Sequence, residues 1–310
     1  MKILYGVQGT GNGHITRARV MAKQFALAAQ IQPIEVTYLF SGRDADKLFD
    51  MDCFGKYLHR QGLTFVSEAG EINYQKTLSN NKPLQFIRDI KSLPLSDYDL
   101  IISDFEPVTA WAAKLQGKPV LGISHQNSFA YDIPTASTNF IANSIMRNFA
   151  PGRWKIGLHW HHFGHPILPP IIDTELKPKA CNSSVLVYLP FENQDDVTEL
   201  LHRFPRQHFV QYSPDLDNGT LHNVQLRKTC HDGFKADLSK SRAVICNAGF
   251  ELISECLQLN LPILAKPLQG QMEQLSNAAA LEKLGYATTL NVLDRETIAE
   301  WLVLAKKPHY

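Results

Sequence analysis

Cysteine is scarce and unpatterned. The 310-residue chain has five, Cys53, Cys181, Cys230, Cys246 and Cys256, with no CxxC pair among them. An odd count without paired spacing argues against a disulfide framework and a zinc ribbon. It suits reduced thiols in a cytosolic protein. An excess of one charge is equally lacking: 31 Lys+Arg stand against 30 Asp+Glu, for a net charge of +1. Nucleic-acid binding calls for a concentrated basic excess, so no nucleic-acid partner is expected. No apolar run approaches the roughly 20 residues of a membrane span. The opening MKILYGVQGTGNGH lacks the apolar stretch and small-residue cleavage site of a secretory leader. A cytoplasmic protein is the expectation.

What is present is an ordinary globular balance, 44% hydrophobic and 20% charged. At roughly 100–200 residues per domain, the length suggests two domains. Residues 2–7 form a short apolar run rich in strand formers, broken by Gly9, Gly11 and Gly13. Residues 15–29 then show apolar groups at helical spacing. Strands are predicted at 34–40, 99–103 and 119–124, with a helix at 108–116. Such alternation implies a parallel sheet with helices on its faces. Prolines 151, 166, 169, 170 and 178 argue against regular structure over 151–178. The expected organisation is a domain at 1–165, a linker at 166–180 and a domain at 181–310. In the second, strands are expected at 184–189, 208–212, 243–247 and 262–266. Helices are expected at 194–203, 234–239, 251–259 and 271–284.

The segment Gly9-Thr10-Gly11-Asn12-Gly13-His14 follows a strand and opens a helix. In such a loop, with Gly11, Asn12 and Gly13 at the turn, backbone N–H groups can approach an anion or a sugar, helped by the helix dipole. A dinucleotide-binding turn has the same shape, but it wants an acidic residue ending the second strand. Asp44 comes a little late for that, which leaves the dehydrogenase reading open. A histidine at the mouth of the turn, His14, suits proton abstraction near neutral pH, or simply helix capping. Asp104 lies just past the end of a buried strand, where ligands of open α/β sheets bind. It could orient His14, or equally cap the helix after it. His125, beyond the next strand end, reads more simply as a surface-loop histidine.

The second half carries the sharper pattern: Asn247-Ala248-Gly249-Phe250-Glu251, Glu255, Pro262, Glu273-Gln274 and Asn277-Ala278. It resembles the donor-binding signature of GT-B glycosyltransferases of families 28 and 1, including the lipid II-forming transferase and the UDP-glycosyltransferases. The Gly-rich opening with His14 resembles the amino-terminal signature of the same group. The resemblance spans nearly the whole chain. It implies an α/β fold of GT-B type, with two Rossmann-like domains facing across a cleft. It further implies that Gly249, Phe250 and Glu251 meet the donor diphosphate, that Glu255 holds the ribose, and that Glu273 and Gln274 hold sugar hydroxyls. Asn12 and Asn260 stand where the lipid II-forming group has glycine, which leaves the acceptor open.

The expected reaction is inverting and metal-independent, with His14 as base and Asp104 as its support. No cofactor is expected. The partners are a nucleoside diphosphate sugar, UDP-linked by resemblance, and an unknown acceptor, with lipid-linked and cell-surface glycan precursors among the candidates. A UDP-sugar epimerase of the same fold and a non-catalytic sugar-nucleotide-binding protein are the alternatives. Three other signals weigh less. The cluster His159, His161, His162 and His165 has no carboxylate or cysteine beside it, so a metal is not expected there. Asp44-Ala45-Asp46 and Asp215-Leu216-Asp217 resemble a metal-holding DxD but sit near turns, where Asp is common. Residues 140–160 mix Phe140, Phe149, Trp154 and Trp160 with Arg147, Arg153 and Lys155. That mix suits a core helix with a loop, or peripheral contact with a membrane.

Overall fold

The computed structural model describes residues 1–64, 67–68, 71–72, 74–136, 148–305 and 308. The chain forms two compact units. One is Met1–Val66 with Asn73–Ile133 and Thr138–Ile172; the other is Ser67–Ile72 with Pro134–Ser137 and Asp173–Tyr310.

The first unit runs β1 (Lys2–Gln8), α1 (Asn12–Ala29), β2 (Glu35–Ser41) and β3 (Leu58–His59). A hairpin, β4 (Ser67–Glu68) with β5 (Glu71–Ile72), belongs to the second unit. The first then continues through α2 (Tyr74–Asn80), α3 (Pro83–Ser92), β6 (Leu100–Asp104), α4 (Pro107–Leu115), β7 (Val120–Ser124), β8 (Trp154–Leu158) and β9 (Ile167–Leu168). Its sheet has the order β3-β2-β1-β6-β7-β8-β9, and every pair is parallel. Both faces are covered, so its strands read as near-continuous apolar runs. Ile3, Tyr5 and Val7 pack with Ile15, Ala18 and Ala22 of α1. Leu4 points the other way, into a core with Ile101, Val108 and Ala112. Each fully buried Leu, Ile or Val among them contributes about 1.5–3 kcal/mol.

The second unit runs β10 (Val185–Tyr188), α5 (Gln194–His202), β11 (Phe209–Ser213), β12 (Gly219–Leu221), β13 (Val224–Lys228), α6 (His231–Leu238), β14 (Ala243–Asn247) and α7 (Phe250–Gln258). It ends with β15 (Ile263–Lys266), α8 (Met272–Leu284), β16 (Thr288–Thr289) and α9 (Arg295–Leu304). Its order is β12-β13-β11-β10-β14-β15-β16, with only the β12–β13 pair antiparallel. Val185, Val187, Ile245 and Leu264 form its core, on which α9 rests Ile298 and Trp301.

Each sheet thus starts at an inner strand, builds outward to one side, then crosses over and builds to the other. This is the doubly wound pattern, and its crevice lies at the carboxyl ends of the two strands flanking the reversal. Those pairs are β1 with β6 and β10 with β14. The alternation predicted from sequence holds in both units. The proline-rich stretch departs from expectation: residues 154–158 and 167–168 are strands. Pairing with β7 and then with β8 supplies the backbone partners that propensity did not promise. Residues 154–158 are accordingly a strand and not part of a core helix or loop. Phe140 and Arg147 lie outside the described residues.

Candidate active site

At the first reversal, Val7 of β1 is in register with Asp104 of β6. The two strands therefore deliver the Gly-rich loop and Asp104 to one place. Gly9 donates its N–H to Ser41 O at 2.6 Å, and a Cβ there would come within 2.9 Å of that oxygen. Only glycine lets the loop pass this close to β2. Arg43 fastens the rest, donating to Asn12 Oδ1 at 2.7 Å and to Thr10 O at 3.1 Å. Helix α1 begins at Asn12, with Gly11 as N-cap and no side-chain cap, and a Cβ on Gly11 would meet nothing. Gly13 lies in the first turn of α1.

His14 follows in that turn. Its Nδ1 lies 2.8 Å from Asp104 Oδ1, and its side chain is 15% exposed against 0% for Asp104. Gln126 Nε2 lies 3.4 Å from His14 Nε2, so with its proton on Nδ1 the ring donates to Asp104 and accepts from Gln126. Arg17 completes the group. It donates from Nε to Asp104 Oδ2 at 2.7 Å and from Nη2 to Oδ1 at 2.5 Å. Burial pushes the Asp104 carboxyl upward, but the Arg17 guanidinium and His14 outweigh it and hold it at about 2. Phe105, at φ +52, stacks parallel to His14 with ring centres 6.3 Å apart. A non-glycine residue there is strained, and such strain collects at functional sites.

Capping α4 is not Asp104's task. Glu106 is the N-cap: its carboxylate accepts from Val108 N, Thr109 N and Ser41 Oγ. Burial raises its carboxyl above the usual range, against the pull of those hydrogen bonds. His125 is buried, not a surface-loop residue, with Nδ1 2.8 Å from Leu158 O.

The second reversal gathers the other predicted residues. Gly249 is the N-cap of α7, at φ −76 and ψ 142, with open space where a Cβ would stand. Its conformation needs no glycine; what glycine leaves is room above the helix start that Phe250 and Glu251 open. Glu255 lies one turn on and is buried, not solvated, and Lys235 of α6 donates to it. Lys266, at the end of β15, donates to Glu192 Oε1 at 2.7 Å. Asn247 donates to Lys266 O at 3.1 Å. Glu273 and Gln274 separate. Gln274 is buried, and its Oε1 accepts from Leu268 N at 2.9 Å, while Glu273 is half-buried in the first turn of α8. Asn277 is fully buried and donates to Ala248 O at 2.9 Å. Asn260 adopts φ +54, a conformation glycine and asparagine share.

Arg17, Gln126, Glu192 and Lys235 were not singled out from the sequence. For Arg17 the signal existed: it stands three residues after His14, on the same helix face. The histidine cluster is engaged otherwise. Burial, then the neighbouring His125 and His161, lower His159 to about 2. His161 and His162 each accept at Nδ1 from a backbone N–H two residues on. Among the described residues no three His, Cys, Asp or Glu side chains are grouped to hold a metal. Asp44 pairs with Lys47 at 2.9 Å, and Asp215 and Asp217 are exposed. Phe149 and Trp160 are buried, whereas Trp154 is 51% exposed beneath Arg153. No helix among the described residues is long and apolar enough to cross a membrane.

The chain is 23% identical to an uncharacterized glycosyltransferase of Methanosarcina mazei, over 94% of this chain and 86% of that one. Its fold is similar to Arabidopsis thaliana UGT89C1 complexed with UDP, with TM-score 0.64, 12% identity and coverage of 98% and 90%. It is also similar to Acinetobacter baumannii MurG, with TM-score 0.56, 15% identity and coverage of 98% and 90%. The fold is GT-B. The family model for glycosyl transferase family 1 matches residues 1–305, so the chain belongs to that family and is a glycosyltransferase.

Proposed function

We propose that the protein moves a sugar from a UDP-sugar to an acceptor hydroxyl by single displacement with inversion, without a metal. The observation that carries this reading is the His14–Asp104 pair at 2.8 Å, on the carboxyl ends of β1 and β6. His14 takes the acceptor proton at Nε2 while Asp104 holds the Nδ1 proton and faces the imidazolium that forms. The hydroxyl oxygen bonds to the anomeric carbon as the bond to the diphosphate breaks, and the electron pair leaves on the diphosphate. Backbone N–H groups at the start of α7, above Gly249, receive that charge. Glu255 takes the ribose hydroxyls, and Glu273 those of the sugar. The UDP preference is supported by the donor-binding pattern, Asn247 through Asn277, and by the UDP bound in the Arabidopsis thaliana relative. Glu273 is half-buried where Gln274 is buried, so it is the more accessible of the two to the sugar.

A thermal-shift panel of UDP, GDP, ADP, dTDP and their common sugar conjugates tests the donor. A ligand that binds only the folded state raises its melting temperature. Selective stabilisation by UDP and one UDP-sugar is expected. Stabilisation by NAD(H) alone would overturn the reading. Conversion of the UDP-sugar without any acceptor would replace transfer with epimerisation. With an acceptor in hand, NMR of the product must show an anomeric configuration opposite to the donor's.

A further inference from the structure

Arg17 takes no part in the steps above, yet it is 1% exposed and at the centre of the group. Both oxygens of Asp104 accept from its fork, and the same Nη2 lies 2.9 Å from His14 Nδ1. A guanidinium does not give up its proton in a protein, so this charge is permanent. The Tyr5 hydroxyl, from β1, adds a donor to Asp104 Oδ2 at 3.3 Å. The carboxylate that holds His14 is therefore already matched by a buried cation.

A buried carboxylate alone against an imidazole would favour the imidazolium strongly, since nearby opposite charge favours the charged form. A ring that already holds both its protons cannot take another from the acceptor. With Arg17 present, the ring faces a neutral pair, and a protonated ring would also stand against the guanidinium. With its proton on Nδ1 the ring donates to Asp104, and Arg17 Nη2 beside that nitrogen is then a positive neighbour of the ring and not its hydrogen-bond donor. The charged and titratable described groups in contact here are Asp104 from β6, Arg17 from α1 and Tyr5 through Asp104; Gln126 and Phe105 are neutral.

We propose that Arg17 is a positioning residue whose fixed charge both matches Asp104 and stands directly against a proton on the His14 ring. This rests on the reading of His14 as the base.

The test is NMR titration of the histidine rings in the full chain, with the His14 signal assigned by its loss in His14→Gln. Two pairs are compared: the unaltered protein with Arg17→Gln, and Asp104→Asn with the Arg17→Gln/Asp104→Asn double variant. In each pair the protein lacking Arg17 should titrate His14 at higher pH, by about one pH unit. Arg17→Lys, which keeps the charge, should return it toward the starting value. The acid limb of the transfer pH profile should move with it. The second pair leaves no uncompensated carboxylate, so it decides the matter if Arg17→Gln alone does not fold. An unchanged His14 titration across either folded pair overturns the proposal. Full transfer by His14→Gln would instead sink the base itself, a separate failure read in a separate assay.

Discussion

Glu192 Oε1 and Lys266 Nζ lie 2.7 Å apart, joining the loop after β10 to the carboxyl end of β15. Their side chains are 11% and 9% exposed, so this is a largely desolvated pair. Removing one partner strands the other. Lys266→Met should lower stability by about 3 kcal/mol, read by chemical denaturation. Glu192→Gln with Lys266→Met should recover a large part of that loss. If the double variant is as unstable as the single, the pair is not what holds this loop.

His14→Ala should lower transfer by about 10²–10⁴-fold, the usual contribution of a positioned base. The stabilisation given by UDP should be unchanged, since the residues assigned to the donor lie on other elements. A variant that keeps full transfer would remove His14 from the chemistry.

Stability should fall on mild acidification, and His159 should be a principal cause. In the fold its burial holds it at about 2, whereas an unfolded histidine titrates near 6.5. Below about pH 6.5 the unfolded chain takes up a proton that the folded one does not, so stability present above that pH is lost as pH falls. Between pH 7 and pH 5 this one residue should cost about 2 kcal/mol. His159→Phe keeps an aromatic ring beside Trp160 and Phe163 and removes the titration. Its denaturation curves at the two pH values should differ by correspondingly less.

Glu106→Ala removes the cap of α4 and leaves the buried donors Val108 N, Thr109 N and Ser41 Oγ with no acceptor from that side chain. A loss of about 3 kcal/mol is expected, above the usual cost of a missing cap. A loss below 1 kcal/mol would mean that water replaces the carboxylate easily.

The parts legible in sequence were the local ones. Strand, glycine turn and helix declare themselves within a dozen residues, and so did the loop that presents His14. Asp104 was ambiguous because Glu106, equally acidic, also precedes Pro107; which of them caps α4 depends on the backbone turn at Phe105. Arg17 was hidden by habit: an arginine on an otherwise amphipathic helix reads as solvated until its long-range partner, 87 residues away, is known. Glu273 and Gln274 read as a pair in sequence, but neighbours on a helix point about 100° apart, so one turned inward and one did not. Strands β8 and β9 had no local signal to overcome the prolines around them, since their hydrogen bonds come from the neighbouring strands of the sheet.

The left-handed residue Phe105 fixes the spacing of two carboxylates with different duties. Asp104 faces His14 and Arg17 on one side; Glu106 faces the start of α4 and Ser41 on the other. The segment therefore has a reading frame. Deleting or inserting one residue between strand and helix would leave one acid in place and carry the other away from its partners. Point substitutions at Phe105 should be tolerated far better than any change in the length of this turn.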